Sequence, residues 1–475
     1  MEIHIDLSRG RGYRDAIYRQ IRAAILDGRI QAGEALPPSR ELAQRLAVSR
    51  TTVSAAYDRL MAEGFLQARV GSGTFVRAGS ERQSATSGGR VTEARPLAEW
   101  DDVPELPAAF APAPEFDFRA GVPDLSRFPF DTWRRLVTRQ IRASRADLLT
   151  YGDPQGHPGL RVAIARHVGV ARDVRAGAAD VVITSGAQQT IDLVARVLLR
   201  RGDLAAVEDP GYPPPRLLLT TLGVRPVPVP MDGEGIVVAE IPAGCRLVYV
   251  TPSHHYPLGT SMSLERRLEL LDWAARHDAV ILEDDYDTEF RYTGRPLEPL
   301  HSLDSRGRVV YVGSFSKVLS PALRLGFMVA PPSLVPSLVK AKYLSTWHSP
   351  NLEQAALAEF IDEGGFARHI RKMRKTYRER HELVREVLLR DFGGVLEPIP
   401  SDAGLHLSAY ATRDPRDVVR AARDAGILLY PLSWFSVRTP RPAGLVFGYG
   451  ALPTARIEPG LARLRALFGE PRDTA

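Results

Sequence analysis

Lys317 has the setting that asks most directly for chemistry. It stands in GSFSKVLSPALRLGF, residues 313–327, after Ser314 and Ser316 and seven positions before Arg324. Val309 to Gly313 reads as a short apolar strand and Gly326 to Val329 as another, so the lysine falls in a hydroxyl-rich turn between two predicted core strands. Lysines are scarce: only Lys317, Lys340, Lys342, Lys372 and Lys375 occur among 62 basic residues. A lysine amine forms a Schiff base with a carbonyl only after losing its proton, and partial desolvation favours the neutral amine. Read alone, SxSK is only four residues long and a surface lysine at a strand end is the better reading of it.

Three upstream patterns add to it. AVILEDDYDTEF (279–290) is an apolar run ending in acids, which puts Asp284 at the carboxyl end of a strand, where open α/β sheets place ligands. A carboxylate there can keep a pyridine nitrogen protonated, making the ring an electron sink, and Tyr286 can donate to that ring's phenolic oxygen. DVVITSGAQQTIDLVARVLL (180–199) reads as strand, glycine turn and helix, with the backbone amides of Gly186, Ala187 and Gln188 forming an anion cup. VEDPGYPPPR (207–216) bends at Pro and Gly to present Tyr212, an aromatic able to stack on a flat ring. Each pattern alone has an ordinary structural reading: a solvated acidic loop, chain punctuation, a core-packed tyrosine.

Together and in this order they resemble the fold type I family of pyridoxal 5'-phosphate (PLP) enzymes, the aspartate aminotransferase-like proteins, over roughly residues 116–468. The resemblance implies an α/β domain in which Lys317 carries the cofactor, Asp284 meets its pyridine nitrogen and Tyr286 lies near its phenolic oxygen. Tyr212 would stack on the ring, and Ser314, Arg324, Gly186, Ala187 and Gln188 would hold the phosphate. YGDPQGHPGLRVAIARHV (151–168) resembles the stretch whose tyrosine, here Tyr151, reaches the phosphate across a dimer interface, so a homodimer is expected. Two departures stand out. SHHYPLG (253–259) puts Tyr256 where the family has the asparagine of Asn-Pro-x-Gly, and GLVFGYG (444–450) puts Val446 at the aligned position of the substrate-carboxylate arginine.

The first residues carry a different pattern. YRDAIYRQIRAAILDG (13–28) places Ile17, Ile21, Ala24 and Ile25 at helical spacing and ends at Gly28. Ser39 then reads as the N-cap of SRELAQRLA, and a break at Ala47 and Val48 leads into SRTTVSAAYDRLMAEG (49–64), a helix-turn-helix plan. FLQARVGSGTFV (65–76) alternates as a hairpin with Gly71 and Gly73 at its tip, a wing. Residues 13–76, with their LPPSRELA and GSGTFV runs, resemble the GntR family of winged helix-turn-helix (α+β) regulators. The resemblance implies contacts to double-stranded promoter DNA from Arg40, Ser49, Arg50, Thr51 and Thr52 and, in the wing, Arg69 and Ser72. Residues 1–78 hold 12 arginines and 8 acids, so +4 of the chain's net +6 sits there.

The expected layout is a DNA-binding domain over 1–78, a linker rich in Ser, Gly, Ala and Pro over 79–115, and an aminotransferase-like domain for PLP binding and dimerisation over 116–475. Trp100, with Glu99, Asp101 and Asp102, is a candidate for transient docking from the linker. A single cysteine, Cys245, excludes an internal disulfide, and the absence of a long apolar run or leader pattern predicts a cytoplasmic protein without membrane contact. His254 and His255 lack metal-ligand spacing and read as loop or core residues. The fusion resembles the MocR subgroup of bacterial transcription regulators. Its implied function is transcription regulation with PLP as cofactor and, as in PdxR regulators, as signal. The alternatives are a response to an amino compound such as γ-aminobutyrate, or a working aminotransferase with a DNA-binding arm.

Overall fold

The computed structural model describes residues 5–7, 12–69, 71–77, 94–97, 100–101, 103–104, 114–142, 150–294 and 298–469. Most of the expected linker, with Glu99 and Asp102, lies outside them. The chain divides into two compact units, Met1–Pro96 and Leu97–Ala475.

In the first unit the helix Tyr13–Leu26 buries Ile17, Ile21 and Ile25 completely, as their fourfold spacing requires. They pack with Leu42 of the helix Ser39–Arg45 and with Val53, Ala56 and Leu60 of the helix Arg50–Ala62. Ala47, at φ +52°, makes the tight turn between the second and third helices. Ser39 is not the N-cap expected of it. Pro38 holds that place without a side-chain bond, and Ser39 is the first helical residue. Ser49 does cap the third helix, accepting from Thr52 N at 3.1 Å. The Arg59 guanidinium lies 3.9 Å over the Tyr18 ring, and the Tyr18 hydroxyl donates to Glu63, which fastens the third helix to the first. The wing follows as strands Leu66–Arg69 and Gly73–Val76, antiparallel with Arg69 opposite Gly73.

The second unit is built on an eight-stranded sheet. Its order is Val181–Thr184, Gly326–Val329, Val309–Ser314, Val280–Asp285, Cys245–Val250, Leu204–Asp209, Arg225–Asp232, Gly235–Ile236. The five strands from Val309–Ser314 to Arg225–Asp232 run parallel, and Gly326–Val329 is antiparallel to both neighbours. Apart from Arg225–Asp232, where only Val229 is buried, the strands are almost wholly buried, as their apolar runs predict for a sheet covered on both faces. A second, four-stranded sheet contains His406–Ala411 and Gly444–Gly448. No described helix is long and apolar enough to cross a membrane.

Candidate functional site

Chain direction in the large sheet brings the carboxyl ends of several strands to one edge. Asp284 stands one residue before the end of its strand, opposite Val312. Ser314 ends the neighbouring strand, and Lys317 follows in the next turn. Thr184 leads into Gly186, and Asp209 leads into Tyr212.

Asp284 is 4% exposed. Its Oδ2 accepts from the Tyr249 hydroxyl at 2.7 Å, while Oδ1 is buried with no partner among the described residues. Burial pushes its carboxyl up to about 6, against the Tyr249 hydrogen bond and the Lys317 charge, with the Asp285 charge adding to the rise. A buried acceptor without a donor costs free energy, and a cationic N–H brought to Oδ1 would remove that cost. The Lys317 amine donates to the Gly121 carbonyl at 2.7 Å. Burial lowers its proton affinity, and Asp287 and Asp284 partly restore it. Gly121 sits at φ +79°, and a Cβ there would come 3.0 Å from Nζ, so the backbone approach needs glycine.

The anion cup lies at the start of the helix Ala187–Leu198. Gly186, at φ +103°, is its N-cap and offers no side-chain bond, so the first amides point outward. A Cβ on Gly186 would lie 3.6 Å from an Arg324 guanidinium nitrogen. Arg324 sits at φ +48° with its backbone N–H donating to the Pro321 carbonyl, and its guanidinium has no hydrogen-bond acceptor or ion-pair partner among the described residues. Ser314 Oγ accepts from Ser316 N at 3.2 Å. The Tyr212 ring meets Tyr256 edge-on at 5.4 Å, and Tyr256 in turn meets Tyr286 at 5.9 Å. Tyr212 as a whole is 37% exposed, but desolvation at its hydroxyl end, then the nearby Asp284, raises that group to about 12, and Arg324 opposes this. Lys317, Asp284, Tyr212 and Arg324 therefore share one electrostatic neighbourhood.

Tyr151 is not in that neighbourhood. It is 73% exposed and stacks on Trp347 at 4.5 Å, with His348 edge-on. Exposed Tyr343 and Leu344 lie on the helix Val335–Thr346, just before Trp347. Val446 is fully buried among Leu258, Ile399, Leu432 and Phe435. Arg216 is half-buried and its guanidinium has no hydrogen-bond acceptor or ion-pair partner among the described residues; desolvation opposes its charge, the nearby Asp209 favours it and Arg441 opposes it. His254 and His255 are core residues. His254 Nδ1 contacts Asp287 at 2.9 Å, a hydrogen bond, and His255 Nε2 is 3.6 Å from Glu208.

Tyr249, Gly121 and Asp287 escaped the sequence reading. Tyr249 sits in CRLVYV, an apolar strand with no mark of function, and Gly121 and Lys317 meet across 196 positions.

In the first unit Arg50 and Thr51 are exposed at the start of the third helix, Arg40 at the start of the second, and Arg69 and Ser72 in the wing. The Arg69 guanidinium rests over Phe75 at 4.8 Å. Ser49 Oγ is engaged by Thr52 N and by the hydroxyls of Thr51 and Thr52 at 2.7 and 2.8 Å, a capping role.

Residues 116–442 match the model of aminotransferase class I and II, and residues 13–76 that of bacterial regulatory proteins, gntR family. The chain is 39% identical to the probable rhizopine catabolism regulatory protein MocR of Rhizobium meliloti, covering 95% of this chain and 93% of that one. It is 31% identical to the pyridoxine biosynthesis transcriptional regulator PdxR of Corynebacterium glutamicum, covering 91% and 90%. The large unit superposes on the kynurenine aminotransferase of Pyrococcus horikoshii, solved in complex with PMP, with a TM-score of 0.69 and 26% identity over 74% of this chain and 90% of that one. With a winged helix-turn-helix unit and an aminotransferase-like unit in one polypeptide, and full-length similarity to regulators of that build, the chain belongs to the MocR subgroup of GntR-type transcription regulators.

Proposed function

We propose that the large unit binds PLP and uses its occupancy to set how tightly the small unit holds promoter DNA. The observation that carries the cofactor reading is the unpartnered Oδ1 of Asp284, buried on the same sheet edge as a desolvated lysine, an open helix start and an unpaired arginine. Lys317 would hold the cofactor covalently, Asp284 its ring nitrogen, Tyr212 its face, and Arg324, Ser314 and the Gly186–Gln188 amides its phosphate. When bound, PLP supplies an electrophilic carbon and an electron-withdrawing ring. The protein's own part is to keep the Lys317 amine partly desolvated against the Gly121 carbonyl, to hold a negative charge at Asp284, and to shield both behind Tyr212 and Tyr256. Tyr151, exposed on an aromatic patch with Trp347 and Tyr343, supports a homodimer in which it serves the partner's site.

Val446 favours PLP itself as the signal. An apolar core residue at the aligned carboxylate position removes the bidentate partner that would anchor an amino acid. A ligand shifts an equilibrium only through its differential affinity for the two states, so operator affinity must differ between cofactor-free and loaded protein, with reciprocal coupling. We expect about a 5- to 150-fold difference, the usual range of allosteric coupling. The check is a titration of operator DNA with cofactor-free protein, loaded protein, and loaded protein with a panel of amino acids and γ-aminobutyrate. A second reading rests on Arg216, an unpaired guanidinium one turn beyond Tyr212 that could take the acid group of an amine effector. An affinity change produced only by an amine would establish that reading and refute PLP sensing. Multiple turnovers of amino transfer to a keto acid would instead mark a working aminotransferase.

A further inference from the structure

The Tyr286 hydroxyl has a neighbour the proposed function does not use. His254 Nδ1 lies 2.9 and 3.2 Å from the two Asp287 oxygens and 3.1 Å from the Tyr286 hydroxyl. As a carboxylate Asp287 only accepts, and its Oδ2 already takes the Leu405 amide at 3.2 Å. Nδ1 must therefore carry the hydrogen. The same nitrogen cannot then accept from Tyr286, whose oxygen instead receives a share of the N–H. The other ring nitrogen, Nε2, lies 3.3 Å from Ser401 Oγ, whose single hydrogen also has the Ala403 carbonyl as an acceptor at 3.4 Å. The ring is held in place: a Cβ on Gly404, at φ +85°, would fall 2.0 Å from its Cε1, and the His406 ring lies 4.7 Å away. Around it stand Asp287, Tyr286, Ser401, His406, His255 and His381, and the His406 Nε2 is engaged with the Pro257 carbonyl at 3.0 Å.

We infer that His254, oriented by Asp287, is a positioning residue that turns the Tyr286 hydroxyl hydrogen away from the protein core and leaves it free to donate to the phenolic oxygen of bound PLP, an inference that rests on the PLP reading above. With its oxygen occupied by an imidazole N–H, Tyr286 has one hydrogen to give and no described protein acceptor for it. A donor on the phenolic oxygen competes with the proton on the nitrogen that joins Lys317 to the cofactor, so the donor lowers the pH at which that proton leaves.

The experiment is a spectroscopic pH titration of full-length PLP-loaded protein. In His254→Phe, which keeps the ring shape and loses the N–H, the midpoint of the visible band should rise by about one pH unit. Tyr286→Phe should rise by at least as much, and the double variant no further than Tyr286→Phe alone, because both act through one hydrogen bond. His254→Asn, whose amide reaches the Nδ1 position, should restore the wild-type midpoint, a result that a packing role for the ring would not produce. If His254→Phe fails to fold, His254→Gln, which carries its amide past that position, replaces it with the same expected rise. An unshifted midpoint, additive shifts or failure of the asparagine to restore would overturn the inference while leaving PLP binding intact. Wild-type protein without a visible band would overturn both.

Discussion

Lys317→Ala should purify without the visible absorbance of the wild-type protein and should not retain PLP after borohydride treatment and denaturation. The argument starts from the amine's surroundings. Burial pushes Lys317 toward its neutral, nucleophilic form, and the Gly121 carbonyl holds it at 2.7 Å, a placement that a surface lysine would not need. Removing it abolishes covalent attachment, so the effect on the trapped cofactor is all or none. Arg324→Ala should behave differently. Its guanidinium faces Gly186 and has no described partner, so its loss takes one charge-assisted contact from the phosphate. At about 1.5–3 kcal/mol, that weakens cofactor retention about 10- to 150-fold with the band unchanged at saturation. Dialysis against cofactor-free buffer, followed by absorbance, separates the two variants. A Lys317→Ala protein with the wild-type spectrum would refute the assignment of the lysine.

The sequence shows the strands of the large unit through unbroken apolar runs, and it shows the glycine, acid and lysine turns that end them. It does not show which strands are neighbours. Gly326–Val329 lies antiparallel between Val181–Thr184 and Val309–Ser314, and that insertion is what puts Arg324 beside Gly186. Local pattern carries no information about which strands pair across long stretches of chain. The Asp284 environment fails for the same reason: Tyr249 and Asp284 are 35 positions apart and meet only because their strands pair. His254 is a milder case. It is visible as one of two adjacent histidines, but its bond to Asp287 depends on the loop after Val280–Asp285 folding back over SHHYPLG. The Ser39 cap misses for a local reason, since Pro38 already sets an extended entry to that helix.

Arg50→Ala should weaken operator binding about 5- to 150-fold, from a loss of ~1–3 kcal/mol if it reads a base edge, while the visible band and its titration stay as in wild type. Arg50 is exposed in the first turn of the third helix, the turn that a helix-turn-helix unit presents to the major groove. Arg69 differs in kind. It is exposed beside the wing tip with its guanidinium over Phe75, where a groove or phosphate contact is expected. Arg69→Ala should lower the slope of log affinity against log salt by about one if it meets a phosphate. Ser49→Ala is the control for helix integrity. The Ser49 oxygen is the cap acceptor for Thr52 N, so its loss should cost about 0.5–2 kcal/mol of helix stability and weaken all DNA sequences alike. Loss confined to the cognate operator in Arg50→Ala, set against a uniform loss in Ser49→Ala, would assign base reading to the arginine. A chain lacking residues 1–78 that still bound the operator would refute the division of labour, because the helix-turn-helix core of Ile17, Ile21, Val53 and Leu60 belongs wholly to that segment. If the protein is a homodimer it carries two such units, and the operator should then contain two half-sites, so that altering either one weakens binding.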